Sequence, residues 1–428
     1  MQYIKLFLLL LCCYNSFAQP KMSKELINIL TKSKSELIQN VMNNKDSFKV
    51  QIIYTQINRD KNNTPHFTNY YFNVDANNYF NPASTVKLPL AFLSLEKFNN
   101  LKEKNITAYT SMLFDSAYSN QVIRHNDSTA ENGFPSIAQF IRKAFLVSDN
   151  DAYNRMYQWV GQQTINRNLH AKGYATTRIT REFMGFTEDE NRHTNPIRFI
   201  DAKGNIVYKQ PMQYNTDSFH FPPPIKVGKG YLNAKDSLIN EPIDFTKVNN
   251  LPLEDLQQML QSVLFPASVS AKQRFNLAID DYKFLYKYLS QYPSETKYPF
   301  YDTTHFYDSY VKFFFREKHQ MPQHVRVFNK VGWAYGFLTD ASYIVDFENK
   351  IEFMLAATIY VNSDGILNDD KYDYETIGWP FMYQIGQTLY QYELQRNRKY
   401  KPNLNVFKIN YDSRNNSDKR KQIKEVEN

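Results

Sequence analysis

Cysteine is almost missing from this sequence: the two present, Cys12 and Cys13, stand side by side near its start. Both fall in a stretch with the marks of a secretory signal peptide, in which Lys5 precedes the apolar run Leu6–Leu11 and Asn15-Ser16-Phe17-Ala18 precedes Gln19. Cleavage after Ala18 leaves a chain without thiol or disulfide, which excludes cysteine catalysis and thiolate metal sites. Long apolar runs are lacking too. The one at the start is far shorter than the roughly 20 residues that span a bilayer, and no later stretch is both long and apolar enough for a transmembrane segment. An exported protein, periplasmic or secreted, is expected. Lipid anchoring is disfavoured, because Leu11 or Cys12 would stand where lipoprotein signals carry a small residue. Also missing are a metal-ligand cluster, a phosphate loop after a strand, and any internal repeat.

What the chain does have is positive charge, formally +8. Seven of its basic residues lie beyond Tyr400 (Lys401, Lys408, Arg414, Lys419, Arg420, Lys421 and Lys424), so a solvated basic tail over 398–428, expected to be disordered, explains the excess better than nucleic-acid binding does. An apolar share of 42% suffices for a core, in one large domain with insertions or two small ones.

Apolar residues from Glu25 to Val41 recur at helical spacing and predict an amphipathic helix. Phe48–Ile57 and Phe67–Val74, separated by a polar segment, read as a hairpin. Thr85–Phe98 is apolar on nearly every face, as in a helix buried inside a larger protein. Helices are also predicted over Ile137–Leu146, Ala152–Val160, Leu253–Leu264, Ala278–Leu289 and Tyr374–Leu394, and strands over His324–Phe328, Leu338–Phe347 and Ile351–Val361. Between about Gly185 and Asn250 periodicity is lost and Pro222–Pro224 break the chain, as in an inserted loop or small subdomain. Strands at both ends with helices between predict an α+β protein whose sheet pairs the two termini.

One place in this pattern carries chemistry. Ser84-Thr85-Val86-Lys87 is a Ser-x-x-Lys run, and so are Ser94…Lys97, Ser294…Lys297 and Ser309…Lys312, so the pattern alone selects nothing. Context does. Ser84 follows Pro82-Ala83 at a helix start, and one turn brings Lys87 onto the same face of a helix that is apolar on nearly every side. An ammonium is rarely tolerated there without partners, and burial lowers the pKa of an amine, which could then take a proton from Ser84. The alternative is Ser84 as a helix cap, with Lys87 reaching solvent. Ser148-Asp149-Asn150 sits in the turn between two helices, either as a cap of the second or as a hydroxyl that relays a proton with an amide that orients substrate. Lys330-Val331-Gly332 ends a strand-like run and is preferred to Lys226-Val227-Gly228, which follows three prolines.

In this order and setting, Ser-x-x-Lys, Ser-Asp-Asn and Lys-x-Gly resemble the active site of the serine β-lactamase and penicillin-binding-protein superfamily. Phe80–Leu88, Val147–Asn154 and Thr177-Arg178-Ile179-Thr180-Arg181 are similar to class A β-lactamase segments. The resemblance covers roughly residues 22–397 without the insertion. It implies an antiparallel five-stranded sheet flanked by a helical subdomain, and a serine hydrolase in which Ser84 is acylated, Lys87 is the base and Ser148 relays a proton. Asn150, Lys330, Gly332 and Trp333 then bind substrate, with the backbone N–H groups of Ser84 and Trp333 as oxyanion hole. No metal or organic cofactor is implied. The expected partner is a small-molecule or peptidoglycan-type substrate, taken by a monomer.

Two positions depart from the family pattern. Phe183 stands where the acid that activates the deacylating water is expected, with Glu182 one residue early as a candidate substitute beside Glu188, Asp189 and Glu190. Val331 replaces a hydroxyl residue that helps to hold the substrate carboxylate.

Overall fold

A computed structural model describes residues 19–101, 105–415 and 418–426; the expected signal peptide lies outside the described residues. Where one N-terminal helix was predicted there are two, α1 (Lys24–Lys32) and α2 (Glu36–Asn43). They part because Lys34 takes φ +57° and the Ser35 hydroxyl accepts the Ile38 N–H, starting a new helix. The predicted hairpin follows as β1 (Gln51–Arg59) and β2 (Pro65–Phe72). A 3₁₀ turn over Ala83–Val86 leads into α3 (Lys87–Asn100), and after β3 (Ser111–Phe114) come α4 (Ile137–Leu146), α5 (Asn150–Val160) and α6 (Gln162–Ala171).

The segment without periodicity contains the short strands β4 (Ile197–Ile200), β5 (Ile206–Gln210), β6 (Lys226–Val227), β7 (Gly230–Leu232), β8 (Leu238–Ile239) and β9 (Ile243–Asp244). None is long enough to show a period. β4 and β5 extend β3 into a three-stranded antiparallel sheet, which ties the insertion to the helical side. Next come α7 (Leu253–Leu264), α8 (Ile279–Ser290), β10 (Val325–Ala334), β11 (Phe337–Asp346), β12 (Ile351–Tyr360), β13 (Ile366–Leu367) and α9 (Trp379–Gln395). Among the described residues no helix is long and apolar enough to cross a membrane.

The main sheet is five-stranded and antiparallel in the order β10-β11-β12-β1-β2, so the two ends of the chain do pair, through β1 and β12. Alternate residues of each strand supply two cores. Ile53, Met354, Ala356 and Tyr343 join the apolar α3, α4, α5 and α7 on one face; Ile52, Tyr54, Leu355 and Ile344 meet α1, α2 and α9 on the other. A sheet covered on both faces explains why β11 is buried throughout, its polar Thr339, Asp340, Ser342 and Asp346 included.

The basic end segment is not a solvated tail. Leu404 and Phe407 are 1% exposed in the main core, with the Phe407 ring 4.9 Å from Tyr343 and 5.3 Å from Phe328. Arg414 donates to the carbonyls of Thr296 and Tyr301, and Ile423 bridges Tyr301. Arg414 is therefore spent on backbone carbonyls and the Phe300 ring, and Arg420 on Asp418 and the Tyr298 ring, while the five lysines beyond Tyr400 are exposed.

Candidate active site

Ser84 lies inside the 3₁₀ turn that opens α3 and caps nothing. The turn is tight: Ala83 takes φ +44°, its N–H donates to Asn81 Oδ1 at 2.8 Å, and the Thr85 hydroxyl donates to Pro82 O at 2.6 Å. A non-glycine residue in the left-handed region costs energy and persists only where its surroundings impose it. Here it turns the Ser84 hydroxyl toward Lys87, whose Nζ lies 2.8 Å away.

Lys87 is fully buried, and its nitrogen also reaches Ser148 O at 2.5 Å, Asn150 Oδ1 at 2.8 Å and Ser148 Oγ at 3.3 Å. Burial lowers its pKa from 10.5 to about 7, against an opposing pull from the Asp149 carboxylate. Among the described residues, this is the Ser-x-x-Lys pair whose two side chains bond each other. Lys97 turns instead to Trp159 O and Gln210, and Lys312 to Leu289 O, Val327 O and Asn329.

The Ser148-Asp149-Asn150 turn divides its members between a helix cap and the group around Lys87. Asp149 caps α5 by accepting the Ala152 N–H at 2.8 Å, and its carboxylate lies 3.4 Å from Lys143 Nζ. Ser148, held at φ +64°, and Asn150 face Lys87. Lys330 completes the group: its Nζ donates to Ser148 Oγ at 2.9 Å and to Val331 O at 2.8 Å, so that hydroxyl sits between two buried amines. Burial and the nearby Lys87 both push the Lys330 pKa well below its usual value.

Lys330 is not at the end of its strand. β10 runs on to Ala334, because Asn329 and Lys330 find polar partners inside the protein and Gly332 packs closely there. A Cβ at Gly332 would lie 2.5 Å from Pro82 O and 2.9 Å from the Ser84 and Thr85 nitrogens. β10 is an edge strand, so outward amides of this segment are not used by the sheet. Val331 points away into the core beneath α9 and is fully buried. Trp333 returns to the cleft wall, with its ring 6.1 Å from that of Tyr310.

Ser84, Lys87, Ser148, Asn150, Lys330, Gly332 and Trp333 thus come together, but Glu182 does not join them. Its carboxylate turns under its loop to accept from Gln158 Nε2 at 3.0 Å, its other oxygen has no partner, and it is 1% exposed. Desolvation raises its pKa to about 8. The neighbouring Phe183 takes the cleft side, stacked on Tyr153 at 4.3 Å with its ring 5.2 Å from Lys87 Nζ. The reason is local: Asn191 Oδ1 accepts the Glu182 N–H and Asn154 Oδ1 accepts the Phe183 N–H, which fixes which side each residue faces.

A sign follows for Glu182. Its folded-state pKa lies above the ordinary 4.5, so its neutral form stabilises the fold below that value, and the contribution is lost as pH rises through about 8. Glu182→Gln is expected to melt higher than the parent at pH 8, with the gap shrinking toward pH 4.5, and, if Ser84 is acylated, to leave that rate within about threefold, since the Glu182 carboxylate bonds Gln158 and not the Ser84–Lys87 pair. Melting curves across this pH range and acylation time courses check both.

The cleft above Ser84 has a volume of about 630 Å³. Asn249, Tyr310, Tyr335 and Val426 also line it, and no feature of their sequence neighbourhoods marked them. No aspartate or glutamate lines it among the described residues.

The sequence of residues 32–204 matches the family model described as the Beta-lactamase enzyme family. That stretch is β-lactamase-like. Similar solved structures include a β-lactamase from Streptosporangium roseum (13% identity, 84% of this chain and 99% of that chain covered, TM-score 0.45). One from Xanthomonas campestris is similar as well (12% identity, 85% and 97% covered, TM-score 0.45), as is an ancestral class A β-lactamase (12% identity, 85% and 99% covered, TM-score 0.43). No curated protein matches the chain.

Proposed function

We propose that this β-lactamase-like chain is a serine hydrolase that forms an acyl-enzyme through Ser84, in the manner of class A enzymes, on a β-lactam or a related amide or ester of the cell envelope. The observation that carries the reading is the buried Lys87 amine, 2.8 Å from the Ser84 hydroxyl. A neutral amine has two N–H donors and one lone pair. Ser148 O and Asn150 Oδ1 are obligate acceptors and take the two donors, which leaves the lone pair for the Ser84 O–H. Lys87 then accepts the proton as Oγ attacks the carbonyl carbon, while the amides of Ser84 and Trp333 hold the developing oxyanion. Ser148, between Lys87 and Lys330, passes the proton to the departing nitrogen or oxygen, and that atom's bond to the carbonyl carbon breaks.

Acylation with slow release is favoured over rapid turnover, because Glu182 faces away and Phe183 occupies the cleft side of the loop. Treatment with a fluorescent penicillin and with a fluorophosphonate is expected to label the parent, and Ser84→Ala is expected to remain unlabelled. Intact-mass spectra should show the penicillin adduct persisting. Equal labelling of Ser84→Ala, or no labelling of the parent by either probe, removes the reading.

A further inference from the structure

The cleft does not end at Arg181 and Val248. Both residues also line a second cavity of about 200 Å³ whose other walls include Arg192, Lys247, Phe219 and Phe221. Five of these, Arg192, Phe219, Phe221, Lys247 and Val248, belong to the segment that breaks the sequence periodicity, so this insertion builds a chamber beside the nucleophile.

Its charge is one-sided. Arg181, Arg192 and Lys247 face one acid, Glu188, and that acid is engaged by Lys247 at 2.8 Å in an exposed pair. Arg192 donates to the carbonyls of Asn215 and Asp217, at 2.8 Å each. Arg181 has the least counter-charge. Its Nε reaches only the Glu182 carbonyl, at 3.5 Å, and among the described residues no carboxylate lies within ion-pairing distance of its guanidinium. Yet its backbone is clamped: its N–H donates to Asn249 Oδ1 at 3.1 Å, and its carbonyl accepts from Tyr153 Oη at 2.8 Å and Asn249 Nδ2 at 3.3 Å. Arg181 thus stands half-buried on a wall shared by two cavities, with its backbone fixed and its guanidinium unmatched by an anion. Its planar fork suits a carboxylate.

The chemistry at Ser84 says which part of a substrate this is. On the acyl-enzyme reading the leaving group departs toward Ser148, which gives it the proton, and the acyl portion left on Ser84 takes the rest of the cleft, which Phe183, Arg181, Val248 and Asn249 line. We propose that Arg181 and the adjoining cavity form a subsite for a carboxylate carried on the acyl portion of the substrate. This rests on the acyl-enzyme reading and deepens it to a substrate class.

Benzylpenicillin and carbenicillin differ by one carboxylate on the acyl side chain, and intact-mass time courses with the full chain give the acylation rate constant for each. The parent is expected to react faster with carbenicillin, by about tenfold, as suits a charge-assisted contact. In Arg181→Gln the ratio of the two rate constants should fall to about 1. In Glu188→Gln, which changes only an exposed side chain, it should rise, because the one opposing charge is gone. Raising ionic strength should shrink the parent's ratio. A parent ratio near 1, or an Arg181→Gln variant slowed equally toward both compounds, overturns the subsite and leaves the acyl-enzyme reading standing. Absence of any Ser84 adduct from either compound overturns both.

Discussion

Lys87→Met is expected to slow acylation of Ser84 by about 10³-fold, within the range that a positioned general base contributes. Methionine keeps the length and apolar stem of the lysine and removes the one atom that the mechanism needs. The protein should not unfold, and linkage gives the sign. Burial lowers the amine's pKa from 10.5 to about 7, so the unfolded chain binds the extra proton between these values and the parent gains stability as pH rises across that window. Methionine has no such proton. The variant's melting temperature relative to the parent should therefore be highest near pH 7 and should fall off toward pH 10.5. Acylation lost together with folding would assign Lys87 a structural role instead.

Gly332→Ala is the second large effect, and it reaches the site through backbone alone. The added Cβ would meet Pro82 O at 2.5 Å and the Ser84 nitrogen at 2.9 Å, and none of these atoms belongs to a flexible side chain. Either β10 or the Ser84 turn must move. Overpacking of this kind costs about 1–3 kcal/mol. Acylation is expected to fall by at least ~10²-fold, because the contact displaces the two segments whose Ser84 and Trp333 amides are proposed to hold the oxyanion. Thermal melting and the acylation rate constant measure the two parts separately. A Gly332→Ala chain as fast and as stable as the parent would mean that β10 does not bear on the turn.

The two effects differ in how plainly the sequence announces them. Lys87 was legible because an amine inside an otherwise apolar helix breaks the local pattern, and such breaks collect at functional sites. The Ser148 turn was located by its Ser-Asp-Asn triplet between two helices, and Lys330 by a Lys-x-Gly triplet on a strand-like run. The outer strands, the buried α3 and the helices α4, α5, α7, α8 and α9 were legible because their apolar periods are long. Illegible were features set by side-chain amides acting at a distance. Asn191 and Asn154 decide that Phe183, and not Glu182, faces Lys87, and no pattern within residues 177–183 encodes that choice. The strands of the insertion are too short to carry a period. Phe407 reaches the core only because Phe265, Phe328 and Tyr343 leave a slot for it.

Buried charge behind Lys330 was missed as well. Asp340 on β11 accepts from Asn329 and Ser342, and Lys312 bonds the same Asn329, so an amine and a carboxylate share one enclosed network next to the site. Desolvation brings both toward neutrality, Lys312 down to about 7 and Asp340 up to about 7. In the sequence, Lys312 appeared only within a Ser-x-x-Lys run of no consequence, since its partners are two backbone carbonyls, of Leu289 and Val327, and one amide, of Asn329, which no local pattern announces.

The central claim is a Lys87 amine that is neutral near physiological pH beside the nucleophile. NMR titration of lysine labelled at the side-chain carbon next to Nζ, with Lys87 assigned from the spectrum of Lys87→Met, measures this directly. The expected result is a Lys87 signal that titrates at about 7 and coincides with the midpoint of the rise in Ser84 acylation with pH. A Lys87 that stays protonated up to its ordinary value of 10.5, while acylation proceeds at pH 7, would contradict it.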